Sequence, residues 1–346
     1  MPSDLLSKVR AQEAALRTID HALESGRIHH AYLFVGPDGV GKELAAFGLA
    51  QALVCERRGS ADAGPGLFGA ADEAPVRACG ACSACTRAVP REDTTLPVHP
   101  DVVVLERGLY TAQQLGARTA ETQNISINQV RTLVLARAAF PPHEGRAKVF
   151  IIRRAEELHA SASNALLKTL EEPGAKTHFV LLSSQPEALL PTILSRVQRV
   201  RFAPLPDDVV ADVLVARGVD AARAKDAARL SGGSVEVGML LADPDESEVR
   251  ERFVESALAA TTSPTIEPVL ALAENAKKDK DRLASNIAAL ASDLATRAGE
   301  AARAGKPDAE ALAIRGRFAL NALEHLAANG AAQLVVEAML MRMRGV

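Results

Sequence analysis

The chain has 346 residues, 48% of them hydrophobic, enough for two or three domains at roughly 100–200 residues each. Forty basic residues against 43 acidic give a net charge of −3, which excludes a surface built throughout to wrap nucleic acid and leaves room for a local basic patch. Aromatics are 3% and Trp is absent, which disfavours base-stacking platforms, and neither a secretory leader nor a run of ~20 apolar residues is seen, so a cytoplasmic, non-membrane protein is expected.

Ala11 to Ser25 has the pattern of a helix, with Gly26 as its stop. Tyr32 to Val35 is a short apolar run feeding a glycine-rich turn, which predicts a buried strand. Lys42 to Val54 has helical spacing. Residues 57–97 then turn rich in Gly, Ala, Pro and charge and read as an insertion. Val102 to Leu105 predicts a second strand, and 108–123 a polar loop. Ile127 to Ala139 predicts a helix ended by Pro141-Pro142. Strands follow at Val149 to Ile152, Phe179 to Leu182 and Arg199 to Phe202, with a helix at Ala162 to Leu170. Strands alternating with helices imply a parallel, doubly wound α/β sheet. Beyond a hinge at Pro204 to Pro206 the pattern is helical, with breaks at Gly218, at Ser231-Gly232-Gly233 and at Asp243-Pro244-Asp245.

Gly36-Pro37-Asp38-Gly39-Val40-Gly41-Lys42 matches the first seven positions of the P-loop pattern, between a strand and a helix. Gly36, Gly39 and Gly41 let backbone N–H groups curl around an anion, and Lys42 adds a charge at the helix N-terminus. The eighth position departs from the pattern: Glu43 stands where Ser or Thr would hold Mg²⁺. A carboxylate there repels phosphate, so ATP binding stays open. A second departure follows the strand Lys148-Val149-Phe150-Ile151-Ile152. Arg153 and Arg154 stand where P-loop ATPases carry acids, and Glu156 and Glu157 fall further on, in the expected next helix.

Cys79, Cys82 and Cys85 are spaced by two residues each, and Cys55, at the end of the P-loop helix, can supply a fourth thiolate. Four thiolates suit a structural, tetrahedral Zn²⁺; an iron–sulfur cluster and free thiols are the alternatives. His99 is a weaker candidate ligand.

The stretch Ala162-Ser163-Asn164-Ala165-Leu166-Leu167-Lys168-Thr169-Leu170-Glu171-Glu172-Pro173 resembles the signature of bacterial DNA polymerase III clamp-loader subunits, an AAA+ family of gamma/tau motors and a delta-prime stator. Pro191 to Arg196 resembles that family's SRC element, with Val197 in place of its cysteine. His30-Ala31-Tyr32-Leu33-Phe34 and His99-Pro100-Asp101 resemble delta-prime sequences. The resemblance covers about Arg27 to Phe202. It implies an AAA+ domain (1–204) with a cysteine zinc module (55–85), a helical lid (205–243) and an all-α collar (244–346) for oligomerisation. It implies that Arg196 is an arginine finger reaching into a neighbour's ATP site. The stretch Ser231 to Gly238 contains no arginine to sense a γ-phosphate. Implied partners are gamma/tau motors, the delta subunit, the beta sliding clamp and, through the complex, primer-template DNA. The alternative within the family is an active gamma/tau-type ATPase. An alternative from another class, a zinc-stabilised scaffold binding nucleic acid directly, runs against the near-neutral charge.

Overall fold

The structure, a computed structural model, describes residues 4–57, 77–91, 94–116, 124–144, 146–277, 280–327 and 330–346. Most of the segment 57–78 and the end of the loop 108–123 lie outside the described residues. The chain divides into two compact units, Met1–Val209 and Val210–Val346.

The first unit is built on a five-stranded parallel sheet. After a 3₁₀ turn at Leu6–Lys8, helix α1 (Glu13–Ser25) stops at Gly26, whose left-handed φ of 67° suits glycine. Strand β1 (Ala31–Val35) leads through the P-loop into α2 (Lys42–Val54), and α3 (Ser83–Arg87) holds Cys85, the last cysteine of the triplet. Then come β2 (Val102–Leu105), the short α4 (Ile127–Gln129) and α5 (Ala136–Ala138), and β3 (Lys148–Ile152). They are followed by α6 (Ala160–Glu171), β4 (Thr177–Ser183), α7 (Pro191–Leu194) and β5 (Gln198–Arg201). The order across the sheet is β2-β3-β4-β1-β5.

Strands covered on both faces need unbroken apolar runs rather than alternation. β2, β3 and β4 have them, and the runs are legible in the sequence for that reason. β5 differs. It is an edge strand, and of its residues Val200 alone is buried, leaving Gln198, Arg199 and Arg201 to solvent. Phe150 and Phe179 stack at 5.1 Å inside the core that α6 covers with Leu166 and Leu170.

Two local expectations are corrected. The helix expected over Ile127 to Ala139 is interrupted by a π-helical stretch, Val130–Leu135, between α4 and α5. Glu156 and Glu157 lie in a separate 3₁₀ turn, Ala155–Glu157, rather than in α6. The left-handed backbone of Arg154 (φ 45°) makes the sharp exit from β3 that separates the two.

The second unit takes in most of α8 (Asp207–Ala216), then α9 (Ala221–Leu230), α10 (Val235–Ala242), α11 (Pro244–Thr262), α12 (Glu267–Ala276), α13 (Lys280–Arg303), α14 (Ala309–Ala327) and α15 (Ala332–Arg344). Its core joins Val269, Leu283, Ile287, Leu290, Val336 and Leu340. Among the described residues, no helix is long and apolar enough to cross a membrane.

The first P-loop glycine is required by packing. A Cβ on Gly36 would lie 2.3 Å from the carbonyl oxygen of Phe202, just beyond β5. Gln12 ties the same corner: its amide donates to Ala203 O (2.7 Å) and Val40 O (3.3 Å) and accepts from Ala203 N–H (2.9 Å). Gly36→Ala is therefore expected to destabilise the fold by about 1–3 kcal/mol, the usual range for overpacking, read as a lower urea midpoint.

Candidate functional site: a self-paired P-loop and an arginine cleft

Parallel strands bring their carboxyl ends to one edge of the sheet, where ligands of such folds bind. The P-loop leaves β1 at that edge, beside the ends of β4 and β5. Gly36 N–H donates to Ser183 O at 3.2 Å, pinning the loop to β4. The Lys42 ammonium is buried inside the loop. It donates to Gly36 O and Pro37 O, both at 2.5 Å, and reaches Asp38 Oδ1 at 3.3 Å.

The two positions that depart from the P-loop pattern meet in space. Arg153, at the end of β3, donates to Glu43 Oε1 at 2.5 Å and to Glu106 Oε2 at 2.8 Å. Its guanidinium also lies 5.9 Å from the ring centre of Phe47. The Arg153 side chain is 15% exposed, Glu106 28% and Glu43 50%. Burial opposes the charge on Arg153, yet the two carboxylates outweigh it and hold the group above the usual arginine pKa. Glu106 was not singled out in the sequence. It follows β2 directly, and β2 pairs with β3, which places it beside Arg153. Of the other two acids, Glu156 accepts from Ser184 Oγ at 3.0 Å, and Glu157 lies between Arg107 (3.1 Å) and Arg154 (3.7 Å).

The four cysteines converge. The sulfurs of Cys55, Cys79, Cys82 and Cys85 all lie within 4.8 Å of one another, with Cys79 and Cys85 at 3.9 Å. Tetrahedral zinc thiolates need sulfurs about 3.8 Å apart, so the set fits a metal with a small contraction. The N–H groups of Cys79, Cys82 and Cys85 point at Cys55, Cys79 and Cys82 sulfurs respectively, each at 3.4 Å. Such donors favour thiolate over thiol. A hydrogen bond from Cys85 brings the Cys55 thiol down to about 4, and the same pairing, with burial, pushes Cys85 up. This group of four can hold a metal ion. His99 stands apart from it: Nδ1 accepts from Asp101 N–H (3.1 Å), and Nε2 faces Glu144 (3.2 Å).

The module is fastened to the sheet by polar contacts. Arg87 on α3 grips Glu144 with two bonds, 2.7 and 2.8 Å. The buried Asp101 accepts the N–H groups of His143 (2.7 Å) and Glu144 (2.8 Å). Gln51 on α2 donates to Cys85 O at 3.1 Å.

Arg196 is at the opposite edge of the sheet. It precedes β5, as His29 and His30 precede β1 and Glu171 precedes β4. These residues, with Leu170 and Ser195, line a cleft of about 640 Å³. The Arg196 guanidinium donates to Thr192 O (2.8 Å) and Ser195 Oγ (3.0 Å) and pairs with Glu171. Glu171 sat inside the recognised signature but was not picked out. Val197, at the family's cysteine position, packs against the core.

The Arg153 pair gives an unequal mutational signature. Arg153→Met leaves Glu43 and Glu106 without their cation and is expected to cost about 2–4 kcal/mol, below the largest losses for a broken buried pair. Glu43→Ala is expected to cost under about 1 kcal/mol, because solvent screens a half-exposed partner. Paired urea melts measure both.

The profile of the family described as "DNA polymerase III, delta subunit" matches residues 11–206. DNA polymerase III subunit delta' of Bacillus subtilis is 29% identical over 243 residues, covering 70% of this chain and 63% of that protein. Its counterpart in Pseudomonas aeruginosa is 35% identical over 229 residues, 65% and 60% of the two chains. DNA polymerase III subunit gamma/tau of Mycobacterium tuberculosis is 32% identical over 200 residues, 58% of this chain and 29% of that one. The matches thus span less than two thirds of these relatives' own length. A solved gamma-subunit-related protein of Thermotoga maritima superposes with a TM-score of 0.45 at 17% identity, over 95% of this chain and 98% of that one. With the family profile matching more than half of its length, the chain belongs to the DNA polymerase III delta subunit family, whose kin here are delta-prime and gamma/tau.

Proposed function

We propose that this chain is the delta-prime stator of a clamp loader, which helps place the sliding clamp on primed DNA and does not itself turn over ATP. The observation that carries this reading is the ion pair between Glu43 and Arg153. P-loop NTPases hold Mg²⁺ between a P-loop hydroxyl and an acid at the end of a neighbouring strand. Here a guanidinium occupies the acid's position and is neutralised by the residue at the hydroxyl's position. A fixed cation repels Mg²⁺, and neither carboxylate is free to take the metal's place in positioning water. Gly36, Gly39, Gly41 and Lys42 keep the residues of a phosphate cradle, so ATP can bind without being cleaved once Lys42 leaves the Gly36 and Pro37 carbonyls.

Arg196 is the group offered to a neighbour. A guanidinium stays charged and presents a planar fork of donors suited to phosphate oxygens. Its place at the sheet edge opposite the P-loop supports a division between an own site and a partner's site. Five residues of β1, at about 3.3 Å each, separate the two edges. Cys55, Cys79, Cys82 and Cys85 would hold a structural Zn²⁺, with four protein ligands and no open position. The helices of 205–243 and 244–346 serve as lid and collar in this reading. Exposed Leu270, Leu320, Leu334 and Met341 on α12, α14 and α15 support packing against gamma/tau and delta subunits.

Steady-state ATP hydrolysis tests the proposal. The purified chain is expected to show no turnover that Lys42→Ala abolishes; such turnover would favour a motor. In a complex reconstituted with motor, delta, clamp and primed DNA, Arg196→Ala is expected to remove an acceleration of about 10³-fold or more at the one site it serves. Metal analysis is expected to find one zinc per chain, lost in Cys85→Ser together with part of the thermal stability.

A further inference from the structure

We propose that Glu171 is a positioning residue for Arg196, clasping its guanidinium at the C-terminal end of α6 until a neighbouring subunit's nucleotide takes it over. The inference rests on the reading of Arg196 as a trans-acting finger and adds a second residue to that site.

The two ends of the guanidinium are held differently. Nη1 donates to Thr192 O and Ser195 Oγ, on the same turn as Arg196 itself. Nη2 crosses the cleft to Glu171, on another element. One end of the guanidinium is thus held on its own turn, and Glu171 is the contact that ties the other end across the cleft. The backbones on both sides are anchored. Leu170, next to Glu171, is fully buried, and Val197, next to Arg196, packs on the same core.

Helix stability does not account for Glu171. It is the last residue of α6, where unpaired carbonyls and the helix dipole make an acid unfavourable. A cation docked there relieves both the carboxylate and the carbonyl end. His30, which lines the same cleft, does not compete for Glu171 at neutral pH. Burial, with His29 stacked at 4.3 Å, holds its pKa below the ordinary histidine value, so it is neutral.

The clasp is also weak enough to open. The Arg196 and Glu171 side chains are 32% and 48% exposed, so solvent screens the pair. A triphosphate carries more charge than one carboxylate and accepts the same fork of donors. Exchange of Glu171 for phosphate oxygens is thus favoured where charge builds on the neighbour's nucleotide in the transition state, the step an arginine finger serves.

The test uses the assembled complex of this chain with motor and delta subunits, with ATP hydrolysis followed against ATP concentration. Glu171→Gln keeps the shape and removes the charge; Glu171→Asp keeps the charge. Without clamp or DNA, Glu171→Gln is expected to raise kcat about 2–5-fold, the factor that an exposed ion pair is worth, with KM unchanged. Glu171→Asp is expected to return kcat toward wild type. A Glu171→Gln complex that hydrolyses at the wild-type rate or more slowly, while Arg196→Ala does slow hydrolysis, overturns the clasp and leaves the finger standing. Arg196→Ala without effect removes the finger, and the clasp with it.

Discussion

The guanidinium of Arg153 lies between the carboxylates of Glu43 and Glu106. It could be placed there only by the sheet. The carboxyl ends of β1, β2 and β3 open on one edge, so residues 43, 106 and 153 converge although they are far apart in the chain. In P-loop enzymes a bound metal balances the charges at this edge. In this chain the balance is intramolecular. The loop also satisfies itself, with Lys42 bonded to the carbonyls of Gly36 and Pro37. A site closed by its own side chains is stable without a ligand, which suits a subunit proposed to hold a ring together rather than to cycle.

The same sheet explains how one domain can carry two unlike sites. The P-loop departs from the carboxyl end of β1, whereas the Arg196 cleft gathers residues that enter β1, β4 and β5. Parallel strands put all entries on one edge and all exits on the other. The P-loop and the proposed finger site are then separated by the length of a strand, with the apolar core around Phe150 and Phe179 between them. The cysteine group is fixed to the P-loop helix through Cys55 and Gln51 and to the sheet through Arg87 and Glu144. It therefore forms part of the domain's frame.

Much of this was legible in the sequence because it depends on local rules. Apolar, β-branched runs as short as Val102 to Leu105 favour buried strands over helices, and Gly26 stops α1 by its left-handed backbone. The glycines and Lys42 of the P-loop are a contiguous motif. The unmatched features are nonlocal. Cys55, named from the sequence as a fourth thiolate, lies beside the triplet because of where α2 ends, not because of spacing. Glu106 gains meaning only when β2 pairs with β3, and Glu171 only when α6 ends beside Arg196. The π-helical stretch Val130–Leu135 keeps helical periodicity to within a residue, so composition cannot distinguish it from α-helix.

The central claim, that fixed charge has replaced the metal at the P-loop, is tested most directly by a crystal structure of this chain grown with Mg²⁺ and a non-hydrolysable ATP analogue. The account predicts Arg153 still bridging Glu43 and Glu106, with no Mg²⁺ between residues 43 and 153 whether or not the triphosphate is bound. A Mg²⁺ ion ligated by Glu43, with Arg153 turned away from it, would contradict the account.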